Sequence, residues 1–167
     1  MLIRTERLII TDFDRSMIES VRLNSLDEDT RRFVPDEVFE TYDEAAEAVD
    51  ALITCYEGNS GPFVHPVLLK DGRNIGYVQA VQLKDEWEIG YHIAKQYTGK
   101  GYATEALTAF LPVIMKKLNL TTIFGICDAD NEASRKVLEK CGFFLEYDGR
   151  DKYQNVKIRV YRYRYTL

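Results

Sequence analysis

The chain has 167 residues, 46% of them apolar and 29% charged, with a net charge of −5. That length suits one domain with one substantial core, the acidic balance argues against a general nucleic-acid binder, and no apolar run of about 18 residues offers a membrane span. No apolar leader with a cleavage site opens the sequence, and Cys55, Cys127 and Cys141 form neither a disulfide framework nor a metal spacing, so the expectation is a metal-free cytoplasmic protein with reduced thiols.

In chain order, Leu8–Phe13 reads as the first strand. Ser16 reads as a cap for a helix that turns Met17, Ile18, Val21 and Leu23 to the core. Thr41 followed by Glu44 matches a capping box. The helix it opens carries Ala45, Ala48, Val49, Leu52, Ile53 and Tyr56 at helical spacing and stops at Gly58 and Gly61-Pro62. His65–Leu69 and Ile75–Leu83 read as strands joined by the turn Asp71–Asn74, and Trp87–Ile93 as the next strand. A helix follows to about Leu118, with a kink or the start of a second segment expected at Pro112. Strand Thr122–Cys127, a helix from Asn131, and strands Phe143–Tyr147 and Val156–Tyr165 complete the chain.

Charge is unevenly placed. Residues 27–57 hold eleven acids and two bases, whereas residues 149–167 hold six bases and one acid. Solvated faces of opposite sign explain this most simply. The sharper reading is an acidic rim, including Asp43, Glu44 and Glu47, that attracts a cationic amine.

The run Thr98-Gly99-Lys100-Gly101-Tyr102-Ala103-Thr104-Glu105-Ala106-Leu107 passes from a glycine turn straight into a helical pattern. Glycines let backbone approach a ligand closely, and unpaired N–H groups with the positive dipole end attract phosphate. A P-loop would need Ser or Thr after Lys100, where Gly101 stands; a dinucleotide fingerprint would need a third glycine where Thr104 stands. Without its neighbours the loop would be an ordinary strand-to-helix turn.

About thirty residues on comes Asn131-Glu132-Ala133-Ser134, opening a helix that ends Gly142-Phe143. Together with Glu88-Ile89-Gly90-Tyr91 before the glycine loop, this resembles the GNAT superfamily of acyl-CoA N-acyltransferases. The wording around Gly99–Leu107 and the opening Thr5-Glu6-Arg7-Leu8 look most like the branch containing ribosomal-protein N-terminal alanine acetyltransferases. The strong resemblance covers residues 86–147 and a looser one nearly the whole chain. It implies a mixed α/β fold: a sheet of about seven strands, splayed beside the fourth, with about four helices. It implies acetyl-CoA as co-substrate and direct transfer, in a ternary complex, to a primary amine on a protein N-terminus or a small molecule. The rival is a non-catalytic acyl-CoA-binding sensor on the same fold. A monomer and a homodimer paired through an edge strand are both compatible with the sequence.

The resemblance also assigns roles. Thr98, Gly99, Lys100, Gly101, Tyr102, Ala103 and Thr104 form the phosphate cradle, although the family usually has Arg or Gln where Thr98 stands. The acyl carbonyl lies beside Tyr91, His92 and Ile93, and pantetheine pairs with backbone from Ile93 to Lys95. Glu88 matches the base that takes the amine proton, and alternation puts it on the same face as Gly90 and His92. Asn131 contacts CoA. Many relatives carry a thiolate-protonating tyrosine seven residues after that Asn; Leu138 stands there instead, and the resemblance to the alanine-acetylating branch implies Ser134 as the acid in its place.

Overall fold

A computed structural model describes residues 1–58 and 60–167. Among the described residues eight strands form one sheet: β1 (Ile3–Arg4), β2 (Leu8–Ile10), β3 (Phe63–Leu69), β4 (Asn74–Leu83), β5 (Glu86–Ile93), β6 (Thr122–Asp128), β7 (Phe144–Tyr153) and β8 (Val156–Thr166). The helices are α1 (Ile18–Ser25), α2 (Glu28–Phe33), α3 (Tyr42–Cys55), α4 (Tyr102–Lys117) and α5 (Glu132–Lys140). The strand order is β1-β2-β3-β4-β5-β6-β8-β7. Every neighbouring pair is antiparallel except β5 and β6, which are parallel and share the single register pair Glu88↔Phe124. The crossover between them is α4, as a parallel connection requires.

Two elements exceed the expected seven strands and four helices. β1 is only two residues long, too short for any pattern. α2 has the sequence Glu-Asp-Thr-Arg-Arg-Phe, with no apolar period; it is set by Asp27, whose carboxylate accepts from the Thr30 amide. The expected Ser16 cap is displaced. Asp14 caps a short 3-10 turn, Arg15–Met17, and accepts the Ser16 amide at 2.8 Å, so α1 starts at Ile18. Leu23 is 56% exposed, so it is not a core residue; Ile18 is buried instead. The Thr41–Glu44 box forms in both halves. Pro112 does not break α4. It lies on the exposed side, where water can bind the Thr108 carbonyl it leaves free, while buried Leu111 and Ile114 hold the helix down.

α4 and α5 cover one face of the sheet, packing Leu107, Phe110, Ile114 and Leu138 on Val78, Ile89 and Ile123. α1 and α3 cover the other face, with Ile18, Ala45 and Val49 on Val64. His65 is 1% exposed, with its ring stacked on Tyr56 at 4.9 Å. Its Nδ1 meets the Thr11 carbonyl at 3.0 Å, and Nε2 has no partner among the described residues. Burial holds this imidazole below its ordinary value, although Thr11 and Asp12 pull the other way. The unfolded chain therefore takes up this proton first as pH falls, and the imidazole's own contribution to stability declines below about pH 6.5. His92, also depressed by burial, adds the same sign. Tm followed from pH 7.5 to 5 should fall more steeply for the wild type than for His65→Gln; parallel slopes would count against this assignment.

Candidate active site

The glycine loop is shaped for an anion. Gly99 and Gly101 have φ of 75° and 80°, and Gly101 caps α4 without any side-chain bond. The amides that open α4 at Tyr102, Ala103 and Thr104 thus have no capping side chain. The one first-turn acid, Glu105, is drawn away. It accepts from Thr5 Oγ1 at 2.6 Å, from the Arg7 amide at 3.0 Å and from Arg7 Nε at 2.6 Å. Burial pushes that carboxyl upward, but Thr5 and Arg7 prevail and hold it below the usual range. Arg7 also donates to the Lys100 carbonyl at 2.9 Å and lies 4.6 Å over the Tyr102 ring. The opening Thr5–Leu8 segment is therefore a clamp on the loop, a role that sequence spacing of about a hundred residues conceals. Lys100 and Thr98 are exposed, beside the loop.

Next to the loop the sheet opens. The Ala94 amide donates to the Ile75 carbonyl at 2.9 Å. By alternation, His92 and Gly90 turn their backbone groups to β4, while Tyr91 and Ile93 turn theirs toward β6. Beyond Glu88↔Phe124, β6 no longer pairs with β5. Tyr91 and Ile93 therefore present a free edge in the slot. His92 and Lys95 are committed elsewhere. His92 Nε2 lies 2.7 Å from Thr30 Oγ1, and its ring stacks on Tyr77 at 5.7 Å. The Lys95 amide is 3.3 Å from Asp27 Oδ2, and its ammonium pairs with Asp29. Both residues fasten α2 to the end of β5.

Across the slot stands α5. Asn131 caps it, accepting the Ser134 amide at 3.0 Å. The Tyr91 hydroxyl lies 2.8 Å from the Ser134 carbonyl and 2.8 Å from the Ser134 hydroxyl. Burial pushes the Tyr91 phenol far above its usual range, so it stays protonated and fixes Ser134. Leu138 is 1% exposed and fills the space beside Gly125, where an added Cβ would meet it at 2.6 Å. A tyrosine is thus supplied near Ser134 from β5 rather than from α5. The available sequence signal was that a tyrosine alternating with buried Ile89 and Ile93 needs a hydroxyl partner.

Slot and sheet face share a cleft of about 920 Å³ lined by Glu88, Gly90, Tyr91, His92, Asn131 and Ser134. Burial raises the Glu88 carboxyl to about 7, against the pull of Arg162 and the Ile126 amide. Glu37 also lines the cleft, and burial raises it to about 7 as well. Tyr153, from the end of β7, is raised by burial and by the charges of Glu88 and Glu37. Neither Glu37 nor Tyr153 stood out in the sequence. The expected rim of Asp43, Glu44 and Glu47 does not line the cleft; Asp36, Glu37 and Asp128 do. Burial pushes the Cys127 thiol up to about 12, which leaves it no thiolate for nucleophilic work. Among the described residues no group of three or more His, Cys, Asp or Glu is arranged to hold a metal, and no helix is long and apolar enough to cross a membrane.

Comparison with known proteins follows this geometry. The family described as acetyltransferase (GNAT) domain matches residues 7–144. The uncharacterized N-acetyltransferase YnaD of Bacillus subtilis is 30% identical over 151 residues, covering 87% of this chain and 84% of YnaD. The solved acetyltransferase (GNAT family) of Bacillus anthracis superposes with a TM-score of 0.85 at 27% identity, over 99% of this chain and 98% of that one. RimL, a ribosomal L7/L12 α-N-protein acetyltransferase solved with coenzyme A, has the same fold at 17% identity and a TM-score of 0.85, covering 100% of this chain and 98% of that one.

Proposed function

The chain belongs to the GNAT acetyltransferase family and is an N-acetyltransferase that uses acetyl-CoA; on that premise we propose that its acceptor is a primary amine, on a protein N-terminus or a small molecule, acetylated by direct attack in a ternary complex. The whole chain works as one acetyltransferase domain, in a reducing compartment suited to its three free cysteines.

The observation that carries this reading is the presence of three parts along β5 and the helices that follow it: the uncapped mouth of α4, the free β5 edge at Tyr91 and Ile93, and the Tyr91–Ser134 pair. Diphosphate would bind the first, backed by Gly99–Thr104. Pantetheine would pair with the second. The thioester would then lie between Glu88 and Ser134. Glu88 takes a proton from the amine, whose nitrogen attacks the acetyl carbon. An edge amide of β5 holds the developing oxyanion. That attack forms the C–N bond; collapse of the tetrahedral intermediate then restores the carbonyl and breaks C–S, and the remaining extra proton on the nitrogen leaves to solvent. The sulfur gains a proton through the Ser134 hydroxyl, and solvent restores the proton states of Glu88 and Ser134. Asn131 orients Ser134 through its amide.

A thermal-shift titration tests the reading. A ligand at 100 times its Kd stabilises by about 2.7 kcal/mol, or roughly 5–10 °C in Tm for a chain of this size. Acetyl-CoA and CoA should produce that shift and ADP much less. No shift with any of them would overturn the proposal. The sensor rival, raised by Leu138 in place of the usual tyrosine, predicts binding without turnover on any amine.

Ser134→Ala should lower kcat by about tenfold to a hundredfold while leaving the KM for acetyl-CoA within about threefold, because its hydroxyl acts on the leaving sulfur. Tyr91→Phe should give a smaller loss of the same kind, since it only fixes that hydroxyl. A KM-only effect in both variants would make the pair a binding feature.

A further inference from the structure

Glu37 lies at the end of a short 3-10 turn, Pro35–Glu37, after α2. Its segment is fixed: the Glu37 amide donates to the Val34 carbonyl at 2.9 Å, and the Phe39 amide to Ser25 Oγ at 2.9 Å. The carboxyl lines the cleft together with the side chain of Gln79, whose amide pulls it back toward the ionised form against the effect of burial. Gln79 and Gly90 are register partners on β4 and β5. A Cβ at position 90 would lie 2.6 Å from Gln79 Nε2 and 2.9 Å from its Cγ. The missing side chain at Gly90 is therefore what lets Gln79 lie across β5. Glu88 is two residues away on the same face of that strand. Glu88 pairs with Val81, diagonal to Gln79, so Gln79 and Glu88 lie on one sheet face, line the cleft with Glu37 as one polar row, and Tyr153 senses the charges of both acids.

The surroundings of this row are apolar: Phe13, Val21, Phe33, Phe39, Leu52 and Tyr77 line the same cleft. Among the charged side chains that line it, Asp36, Glu37, Glu88 and Asp128 are acids and Lys152 is the base. Among the described residues no ion pair reaches Glu37; Gln79 is the neutral polar group beside it and Asp36 adds a like charge. A half-buried carboxyl without a cation costs stability, and an incoming ammonium would relieve that cost.

We propose that Glu37, held by Gln79 over Gly90, is the specificity-determining residue for the acceptor, and that the acceptor is a primary amine that enters as a cation on an apolar stem with no carboxylate beside its nitrogen. This rests on the acetyltransferase reading above. The row attracts the ammonium, the apolar wall holds its stem, and Glu88 removes the proton before attack. A carboxylate next to the amine would meet Glu37 and Glu88 in a half-dry site, and like charges so placed cost several kcal/mol. Free α-amino acids are thereby rejected, while amine-bearing amides and simple aralkylamines are accepted.

The test is steady-state acetylation by the full chain with acetyl-CoA and three acceptors sharing one stem: phenethylamine, phenylalaninamide and phenylalanine. The first two should be acetylated, and phenylalanine should show a kcat/KM lower by about 100-fold. Glu37→Gln should raise the KM for phenylalaninamide about tenfold, with a smaller effect on kcat, and narrow the gap to phenylalanine. Gly90→Ala, which displaces Gln79 without touching Glu37, should raise KM in the same direction. The acetyl-CoA thermal shift, unchanged in both variants, certifies that they are folded with the cofactor slot intact. Phenylalanine acetylated as well as its amide, an unchanged KM in Glu37→Gln, or an acetyl-CoA-binding protein that acetylates none of the three would each overturn the inference. A chain that does not bind acetyl-CoA at all would overturn the acetyltransferase reading with it.

Discussion

Glu88→Gln is expected to lower kcat by about 10²- to 10³-fold, the range of a lost general base, while raising the protein's stability at neutral pH. The amide keeps the size of the carboxyl and its ability to accept from the Ile126 amide, but cannot take the amine's proton. Burial sets the Glu88 carboxyl at about 7 in the folded chain, against an ordinary value of 4.5. A base poised there is half ionised at working pH, so the kcat profile of the wild type should rise through pH 7, and that limb should vanish in Glu88→Gln. Glu37, raised to the same value, is separated by its own variant, which keeps the limb. The sign on stability follows from the same shift. Between pH 4.5 and 7 this carboxyl binds more protons in the folded chain than in the unfolded one, so its contribution to stability falls as pH rises through that window, opposite in sign to the histidines. Glu88→Gln removes this loss. Its Tm should exceed the wild type at pH 8, and the two should converge near pH 4.5. Full kcat in the variant, or a retained pH limb, would remove Glu88 from the chemistry.

Leu138→Ala is expected to be the most destabilising of the single changes considered. The side chain is 1% exposed, packs toward Gly125 and Ile89, and anchors the middle of α5. Truncating a buried leucine costs about 2–5 kcal/mol, or roughly 5–15 °C in Tm at this chain length. Because α5 also carries Asn131 and Ser134, the melting loss should be accompanied by weaker CoA binding. Leu138→Tyr addresses the residue that many relatives carry here. It should not raise kcat, because the space is already filled up to the backbone of β6 and the larger ring forces strain of about 1–3 kcal/mol. A Tm within 2 °C of wild type for Leu138→Ala, or a faster Leu138→Tyr enzyme, would contradict this packing.

The parts of the site that depend on backbone were legible from the residues. Gly99 and Gly101 announce a left-handed path into a helix, Asn131 with Ser134 announces a capped turn, and the alternation of β5 puts Glu88, Gly90 and His92 on one face. What escaped are contacts between elements distant in sequence. Glu105 looks like an adverse acid in an anion site until Arg7, 98 residues earlier, is seen to hold it. Tyr91 and Ser134 meet across 43 residues. Glu37 lies in a polar stretch where neither α2 nor its following turn has an apolar period to reveal which side chains turn inward. β7 was expected to stop at Tyr147 and runs to Tyr153. It is the outer strand of the sheet, and its residues are mostly exposed on both faces, so no alternation of apolar and polar positions marks its length. Its last turn, through Gln154 and Asn155 at φ of 50° and 62°, closes the hairpin that brings Tyr153 to the cleft. Leu23 shows the opposite error: an apolar residue at helical spacing that the fold leaves in water.

The single bridge between β5 and β6 also bears on how the protein comes apart. Among the described residues, strand pairing runs from β1 to β5 and again from β6 to β8, and Glu88↔Phe124 is the single register pair that joins the two runs. One core continues beneath both, from Ile89 to Ile123 and Tyr163, so the sheet is thinnest at that junction, where local opening would start. A pantetheine arm bonded to the β5 edge and resting on α5 would span that junction as a strut. Amides of β6 and β8 that never touch the ligand would then exchange more slowly once the slot is filled, and the first, partial opening of the free protein would merge with its global unfolding.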